Sequence, residues 1–180
     1  MTDSWQIMQS EDEFVILVNS ANEVIGQAGK IGAHQGIGQL HRAITVALFN
    51  QAGEVLVTQR SEHKPLWPLW WDLACSTHQW PGEDSVPAAV RRLPFEIGVT
   101  GHNLTEKFHY EYHAVYNQDW SENEINHIVV GELNQDPDLN PREVANFAWK
   151  SLDQIRTELQ QPTHRYTPWF ELALKPWLEQ

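Results

Sequence analysis

The stretch that determines the fold runs from Trp70 to Val99 and reads WWDLACSTHQWPGEDSVPAAVRRLPFEIGV. Its first part, 72–77, is predicted to be extended. Acidic residues then follow Gly82 and precede an apolar run with helical spacing, which is typical of a helix start. Gly98 stands where such a helix ends. The stretch therefore predicts a strand and one helix that runs to about Ile97.

The segments on both sides of this stretch predict mainly strands. Short apolar or alternating runs indicate strands at 14–19 and 24–26 (a hairpin), 41–49, 54–60, 108–116, 125–133 and 146–150. Helical spacing predicts helices at 152–159 and 167–178. The glycine-rich residues 29–40 are predicted to form an irregular loop. Together these elements indicate an α+β fold, a layered α/β sandwich, in a single domain over residues 1–180 with its core at about 14–170.

Composition limits the classes of function. The net charge is −12, which argues against a nucleic-acid partner because such binding depends on neutralising phosphates with Lys and Arg. No apolar run approaches the roughly 18 residues of a membrane span, and the N-terminus lacks the pattern of a signal peptide, so we expect a cytoplasmic protein. The lone Cys75 excludes an intrachain disulfide and a cysteine-rich zinc site. The oligomeric state stays open.

Histidines and carboxylates must therefore hold any metal ion. The candidate ligands are His34, His41, His78, Glu122, Glu124 and Glu96. Glu122 and Glu124 are two positions apart, so along a strand both carboxylates point to the same side. Three imidazoles with carboxylates suit Zn²⁺ or Mn²⁺, whereas an added carboxylate such as Glu96 suits Mg²⁺ with waters or phosphate oxygens.

Basic residues are concentrated near the same segments. Five of only twelve lie there: Lys30, Arg60, Lys64, Arg91 and Arg92. Arginine suits bidentate phosphate recognition and lysine supplies a point charge. A solvated surface is the alternative, but in so acidic a chain this grouping favours an anion site.

From Thr77 onward the stretch resembles the Nudix signature, which is Gly, five residues, Glu, seven residues, Arg-Glu, an aliphatic residue, any residue, Glu-Glu, any residue, Gly and an aliphatic residue. The matching positions are Glu83, Arg91, Leu93, Glu96, Gly98 and Val99; the departures are Thr77, Arg92 and Phe95. Nudix hydrolases bind catalytic Mg²⁺ on the glutamates of this helix. Only Glu96 of those three remains, which makes a diphosphate hydrolase the weaker interpretation.

This depleted motif resembles that of the type I isopentenyl diphosphate isomerases of the Nudix superfamily. The resemblance covers residues 14–170, in the family's order, through Lys30-x-x-x-His34, Leu40-His41, Leu56-Val57-Thr58-x-Arg60, Lys64, Trp67-Pro68-x-x-Trp71, His78, Arg91-Arg92, Glu122-Asn123-Glu124 and Pro168-Trp169. It implies a Nudix fold, with mixed β-sheets flanked by helices. It also implies a metal-dependent enzyme that moves the double bond of a prenyl diphosphate, from isopentenyl to dimethylallyl diphosphate.

The same resemblance implies roles for individual residues. A divalent metal, such as Mn²⁺ or Zn²⁺, would be held by His34, His41, His78, Glu122 and Glu124. The diphosphate would be bound by Lys30, Arg60, Lys64 and Arg92, with Glu96 holding Mg²⁺. Glu124 would transfer a proton on one face of the alkene, and Trp169 would cover the carbocation. Tyr110 is a further aromatic candidate at the catalytic site.

One departure lies at the centre of the site. Where the family has a second proton-transfer group, a cysteine, this chain has Ser76. Adjacent residues of an extended segment face opposite sides, so Cys75 is predicted to be a core residue. A thiol, with a pKa of about 8.5, exchanges protons near neutrality, whereas a serine hydroxyl needs assistance. Three outcomes stay open besides isomerisation: protonation-initiated cyclisation or rearrangement of a longer prenyl diphosphate, hydrolysis, and non-catalytic sensing of prenyl diphosphates.

Overall fold

The computed structural model describes residues 13–179, and within this range nine strands belong to one mixed sheet. The strands are β1 (Phe14–Val18), β2 (Val24–Gly29), β3 (His41–Phe49), β4 (Val55–Arg60), β5 (Trp71–Asp72), β6 (Cys75–His78), β7 (His102–Val115), β8 (Ser121–Glu132) and β9 (Val144–Lys150). The helices are α1 (Lys30–His34), α2 (Ser85–Ile97), α3 (Leu152–Leu159) and α4 (Phe170–Leu178). Predictions about residues 1–12 and 180 lie outside the described residues.

Strand β3 is the centre of the sheet. It runs parallel to β8 along its whole length, from His41 opposite Glu124 to Phe49 opposite Glu132. It is antiparallel to β6, and it also pairs at its ends with β1 and β4. Residues 43–48 are all buried, as expected for a strand covered on both faces. Strands β7, β2, β5 and β9 extend the sheet outward from these neighbours.

Helices cover both faces of this sheet, so the predicted layered sandwich is confirmed. On one face α2 buries Leu93 and Ile97 in a cluster with Ile44. On the other face α3 and α4 contribute to a second cluster, in which Phe170 packs with Val57. The apolar side chains of β3 thus serve two cores.

Helix α2 begins and ends where the sequence predicts. Asp84 precedes it, and Gly98 follows it with φ of 68°, in the left-handed region that favours glycine. The backbone N–H of Asp138 donates to the carbonyl of Ile97 at 2.9 Å, which satisfies a terminal acceptor. The helix continues through Pro94. Its C-terminal turn is therefore fixed against the rest of the domain.

Two predictions about local structure were wrong. Residues 29–40 were predicted to be irregular, yet α1 forms within them, because the positive-φ glycines Gly36 and Gly38 lie beyond the helix. Strand β7 begins at His102 rather than Phe108, and two register shifts interrupt the alternation on which strand prediction depends. Among residues 13–179, no helix combines the length and apolar character needed to cross a membrane.

Candidate active site

Three imidazole rings meet at the wall of one cavity. His34 ends α1, His41 begins β3 and His78 ends β6, and their ring centroids are 4.7–5.0 Å apart. Strand β8 adds the carboxylates of Glu122 and Glu124, and ligand atoms from all five side chains lie within 4.8 Å of one another. All five residues are buried. The structure therefore brings together five of the six predicted metal ligands.

Hydrogen bonds orient two of these rings toward the centre of the cluster. The Nδ1 of His34 donates to the backbone carbonyl of Lys30 at 2.6 Å, and the Nδ1 of His41 donates to that of Gln39 at 2.7 Å. Each bond fixes the tautomer and leaves the Nε2 lone pair facing inward. The buried Nε2 of His41 has no hydrogen-bond partner. These donors fit a divalent metal ion, whose histidine ligands are oriented in this way.

The pKa values of two of these imidazoles are shifted in opposite directions. Burial, together with the neighbouring rings of His41 and His34, holds the pKa of His78 well below its usual value. Burial also lowers the pKa of His34, but Glu122, whose carboxylate lies 2.9 Å from Nε2, outweighs it and raises that pKa. A neutral imidazole, which this low pKa favours at His78, is the form that binds metal.

Glu124 divides its two oxygens between different partners. Oε1 lies 3.0 Å from the Nε2 of His78, whereas Oε2 accepts a 2.5 Å hydrogen bond from the hydroxyl of Tyr112. Burial raises the pKa of Glu124, but His41, whose Nε2 lies 3.5 Å from Oε1, and the bond from Tyr112 lower it below its usual value. One oxygen thus faces the imidazole cluster and the other faces a phenol.

The tyrosine beside Glu124 is Tyr112 and not the predicted Tyr110. Both occupy the same face of β7, but Tyr112 is opposite Glu124 in the ladder and Tyr110 is opposite Asn126. The Tyr110 hydroxyl donates to the backbone carbonyl of Trp169 at 3.0 Å, and Tyr110 does not line the cavity. The structure thus places Tyr110 behind Trp169, as a support for it.

Lys64 and Arg92 lie close together on a second wall of the cavity. Arg92 donates to Glu96 at 2.8 Å and contacts Glu143 at 3.1 Å. Lys64 pairs with Glu143 and lies 3.8 Å from Glu96. Glu96 is buried behind these cations and does not itself line the cavity. This side of the cavity therefore holds two cations and two carboxylates in one network.

The other two predicted phosphate-binding residues differ from each other. Lys30 lines the cavity and pairs with Glu13 at 2.8 Å. Arg60 also lines the cavity, but its Nε and Nη2 donate to the backbone carbonyls of Leu66 and Trp67 at 2.8–3.2 Å. Arg60 thus holds the 66–67 segment in place and has few donors left for a ligand.

Neighbouring residues of β6 face opposite sides, as predicted. Cys75 is buried in the core beneath α2, and burial together with the charge of Glu96 raises the pKa of its thiol well above the usual value. Ser76 lines the cavity, where its Oγ lies 3.1 Å from the hydroxyl of Thr45 and 3.2 Å from the indole nitrogen of Trp169. The group that faces the cavity is therefore a serine.

These walls enclose a cavity of about 250 Å³. It is lined by Lys30, His34, Thr45, Arg60, Lys64, Ser76, His78, Arg92, Tyr112, Trp120, Glu122, Glu124, Glu143 and Trp169, among others. A small ligand in it would meet basic groups on one side, metal-binding groups on another, and the ring of Trp169. Such an arrangement suits a small ligand that has an anionic group at one end and an apolar chain at the other.

Comparison with known proteins identifies the family. A NUDIX domain model matches residues 39–170. The chain is 38% identical over 162 residues to the isopentenyl-diphosphate Delta-isomerase of Nocardia farcinica, covering 89% of this chain and 92% of that protein. It is 34% identical over 168 residues to the isopentenyl-diphosphate Delta-isomerase of Paenarthrobacter aurescens, covering 93% of this chain and 91% of that protein. The chain belongs to the isopentenyl-diphosphate Delta-isomerase family.

Solved structures agree with this assignment at the level of the fold. The chain superposes on a Deinococcus radiodurans protein with a TM-score of 0.70 at 18% identity, covering 91% of this chain and 98% of that one. It superposes on a MutT NUDIX hydrolase from Burkholderia pseudomallei with a TM-score of 0.60 at 19% identity, covering 76% of this chain and 97% of that one. The sheet and helices of this isomerase-family member are those of the Nudix fold.

Several cavity residues of this isomerase-family chain had no signal in the sequence. They are Glu13, Thr45, Tyr112 and Glu143, and Asp72, which binds Trp169 outside the cavity lining, had none either. Only Tyr112 offered an indirect clue, because it shares the alternation of β7 with Tyr110. The others become visible only when distant strands pair.

Proposed function

We propose that this chain interconverts isopentenyl and dimethylallyl diphosphate by adding a proton to one face of the alkene and removing one from the other face. The observation that carries the proposal is the position of Glu124. Glu124, whose Oε2 accepts from Tyr112, lines the same small cavity as Trp169 and four lysine or arginine side chains. The relatives named isopentenyl-diphosphate Delta-isomerase support this reaction over cyclisation of a longer prenyl chain.

The diphosphate is placed against Lys30, Lys64 and Arg92. These three side chains line the cavity and present N–H donors to it. Lysine and arginine bind phosphate oxygens by the same kind of charge-assisted hydrogen bond that they now make to carboxylates, so a diphosphate can take the place of those carboxylates. Arg60 supports the adjoining wall and is assigned no phosphate contact here.

The metal-binding residues fall into two sets. The three histidines with Glu122 and Glu124 would hold one divalent ion, such as Zn²⁺ or Mn²⁺. Glu96 would hold Mg²⁺ once its bond from Arg92, which now separates it from the cavity, is released. Bound there, the metal ions would supply positive charge that fixes the carboxylates and screens the diphosphate. The residues themselves carry the proton transfers described next.

Proton addition is assigned to Glu124. When its carboxyl group gives up a proton, the resulting carboxylate is stabilised by the hydrogen bond from Tyr112, which strengthens as negative charge develops. The alkene becomes a tertiary carbocation, and the adjoining face of Trp169 attracts this charge. Trp169 is held by Trp67, whose ring packs edge-on at 5.3 Å between centroids.

Hydrolysis is the weaker candidate. Two positions where Nudix hydrolases use glutamates are occupied by Arg92 and Phe95, and Arg92 lies over the ring of Phe95 while binding Glu96. A cation in place of a metal-binding carboxylate favours the binding of diphosphate over its cleavage.

Incubation with isopentenyl diphosphate and Mg²⁺ in deuterated water tests the proposal. We expect dimethylallyl diphosphate that carries one deuterium, detected by mass spectrometry. A parallel incubation contains geranyl or farnesyl diphosphate instead. A deuterated cyclic product in that incubation, or released phosphate as the only product, would contradict the proposal. Glu124→Gln should abolish deuterium incorporation, whereas Glu111→Gln, an exposed glutamate on β7, should not. Metal content must be measured for both, because Glu124 also faces the metal-binding cluster.

A further inference from the structure

Asp72 is a buried carboxyl group that the reaction described so far does not use. It ends β5 and is 2% exposed. Both of its oxygens accept from the indole N–H of Trp169 at 3.0 Å, and Oδ1 also accepts from the backbone N–H of Leu73 at 2.8 Å. The Nη1 of Arg60 lies 3.6 Å away. Such a group is rarely buried without a partner or a function.

Ser76 stands between this carboxyl group and the cavity. Its Oγ lies 3.2 Å from the indole nitrogen of Trp169, which also donates to both oxygens of Asp72, so the hydroxyl and the carboxyl group are neighbours, and Ser76 lowers the pKa of Asp72 as a nearby donor does. Ser76 lines the cavity, whereas Asp72 does not. A proton can therefore pass from the cavity to Asp72 by way of the Ser76 hydroxyl.

The neighbouring hydrogen bonds give this path a direction. The side-chain amide of Asn126 donates to the Oγ1 of Thr45 at 2.9 Å, and Thr45 in turn lies 3.1 Å from the Oγ of Ser76. With its oxygen already accepting from Asn126, Thr45 can donate its own proton to Ser76. In that arrangement the Ser76 proton is free to point to Asp72, which only accepts when ionised.

The environment makes Asp72 a stronger base than an exposed aspartate. Burial raises its pKa, and the charge of Arg60 with the hydrogen bonds from Leu73, Ser76 and Trp169 lowers it only in part. A carboxylate with a raised pKa holds a proton more firmly. The C–H protons beside a carbocation are acidic, so such a carboxylate is a strong enough base to accept one.

We propose that Asp72 is the proton acceptor behind Ser76 on the second face of the substrate, taking the place of a thiol. As the C–H bond beside the cation breaks, its electron pair forms the new double bond and the proton binds the Oγ of Ser76. The original Ser76 proton passes to Asp72 at the same time, so the serine is neutral before and after. In the reverse reaction the proton returns along the same path. This inference rests on the proposed isomerase function, and Asp72 acts through Ser76 without touching the substrate.

The test compares Asp72→Asn in two backgrounds. In the natural chain we expect kcat for isomerisation to fall at least 100-fold with KM within threefold, because the asparagine oxygen can still accept from Leu73 and Trp169 but the amide cannot take up the proton. In a Ser76→Cys background at pH 8, a thiol exchanges protons itself, so the same change should lower kcat less than fivefold. Equal losses in both backgrounds would show a structural role and overturn the proposal. So would unchanged activity in the natural chain.

Ser76→Ala is the second variant and removes only the hydroxyl. It should lose kcat to the same extent as Asp72→Asn, and the double variant should lose no more, because both changes interrupt one path. Retained activity in Ser76→Ala would overturn the proposal even if Asp72→Asn failed to fold. A natural chain that makes no dimethylallyl diphosphate would instead refute the isomerase function, so the two failures are distinguishable.

Discussion

Replacing Tyr112 by phenylalanine removes one hydroxyl at the centre of the site. The bond it donates to Glu124 is 2.5 Å long, buried and directed at a carboxylate. Hydrogen bonds to charged groups contribute about 1.5–3 kcal/mol. Because this bond strengthens as Glu124 loses its proton, its loss should appear in the activation barrier. At about 1.4 kcal/mol for each tenfold change in rate, kcat should fall roughly 10- to 100-fold.

Tyr110→Phe is the matched control, because it removes a hydroxyl from the same face of the same strand. That hydroxyl binds the backbone carbonyl of Trp169, which carries no charge. We expect its kcat to stay within threefold of the natural chain, with a loss of stability of about 1 kcal/mol. The assay is the initial rate of dimethylallyl diphosphate formation over a range of substrate concentrations. A kcat for Tyr112→Phe within twofold of the natural chain, or equal losses in both variants, would refute the assignment.

Three further predictions concern stability and metal binding. Gly98→Ala should cost at least about 3 kcal/mol in urea unfolding, since its Cβ would lie 2.4 Å from the Asp138 carbonyl oxygen at φ of 68°. Gly53→Ala, at φ of 77° in open space, should cost only about 1 kcal/mol, and equal costs would contradict this. The pKa of Glu143 is about 2, against 4.5 for an ordinary glutamate side chain. Its ionised carboxylate therefore stabilises the fold above pH 4.5, and this contribution disappears as the pH falls toward 2. The difference in unfolding free energy between Glu143→Gln and the natural chain should therefore be largest near neutrality, at roughly 3 kcal/mol, and vanish toward pH 2. After chelation, adding Mn²⁺ or Zn²⁺ at about 100 times Kd should stabilise the fold by about 2.7 kcal/mol, which is measured as a rise in melting temperature. In His41→Gln most of this rise should be lost.

Patterns of local spacing predicted the main elements and part of the site. Helix α2 was predictable because its start signals and Gly98 are local in sequence. The opposite orientations of Cys75 and Ser76 follow from the two-residue period of a strand, and no distant contact is needed to see them. The metal-binding histidines were identified by resemblance, and the structure brings them together at the ends of α1, β3 and β6.

Features that depend on the pairing of distant strands were not predictable from spacing. The choice between Tyr110 and Tyr112 depends on the register of β7 against β8, which includes two irregularities. Arg60 looks like a phosphate ligand in the sequence, but three of its hydrogen bonds hold carbonyls of the 66–67 segment. Asp72 follows two tryptophans and gives no sign of its contact with Trp169, which lies 97 residues later.

The carboxylates beside the basic groups have a consequence for which ligands the cavity accepts. Lys30 is paired with Glu13, and both Lys64 and Arg92 are paired with Glu143. An anion that arrives alone must displace a carboxylate and leave it without a partner in a buried setting, which is costly. A diphosphate accompanied by Mg²⁺ brings charges of both signs, so the released carboxylates find a cation while the bases find phosphate oxygens. We therefore expect the cavity to prefer a diphosphate that carries its own cation, and inorganic anions without a cation to compete poorly for it.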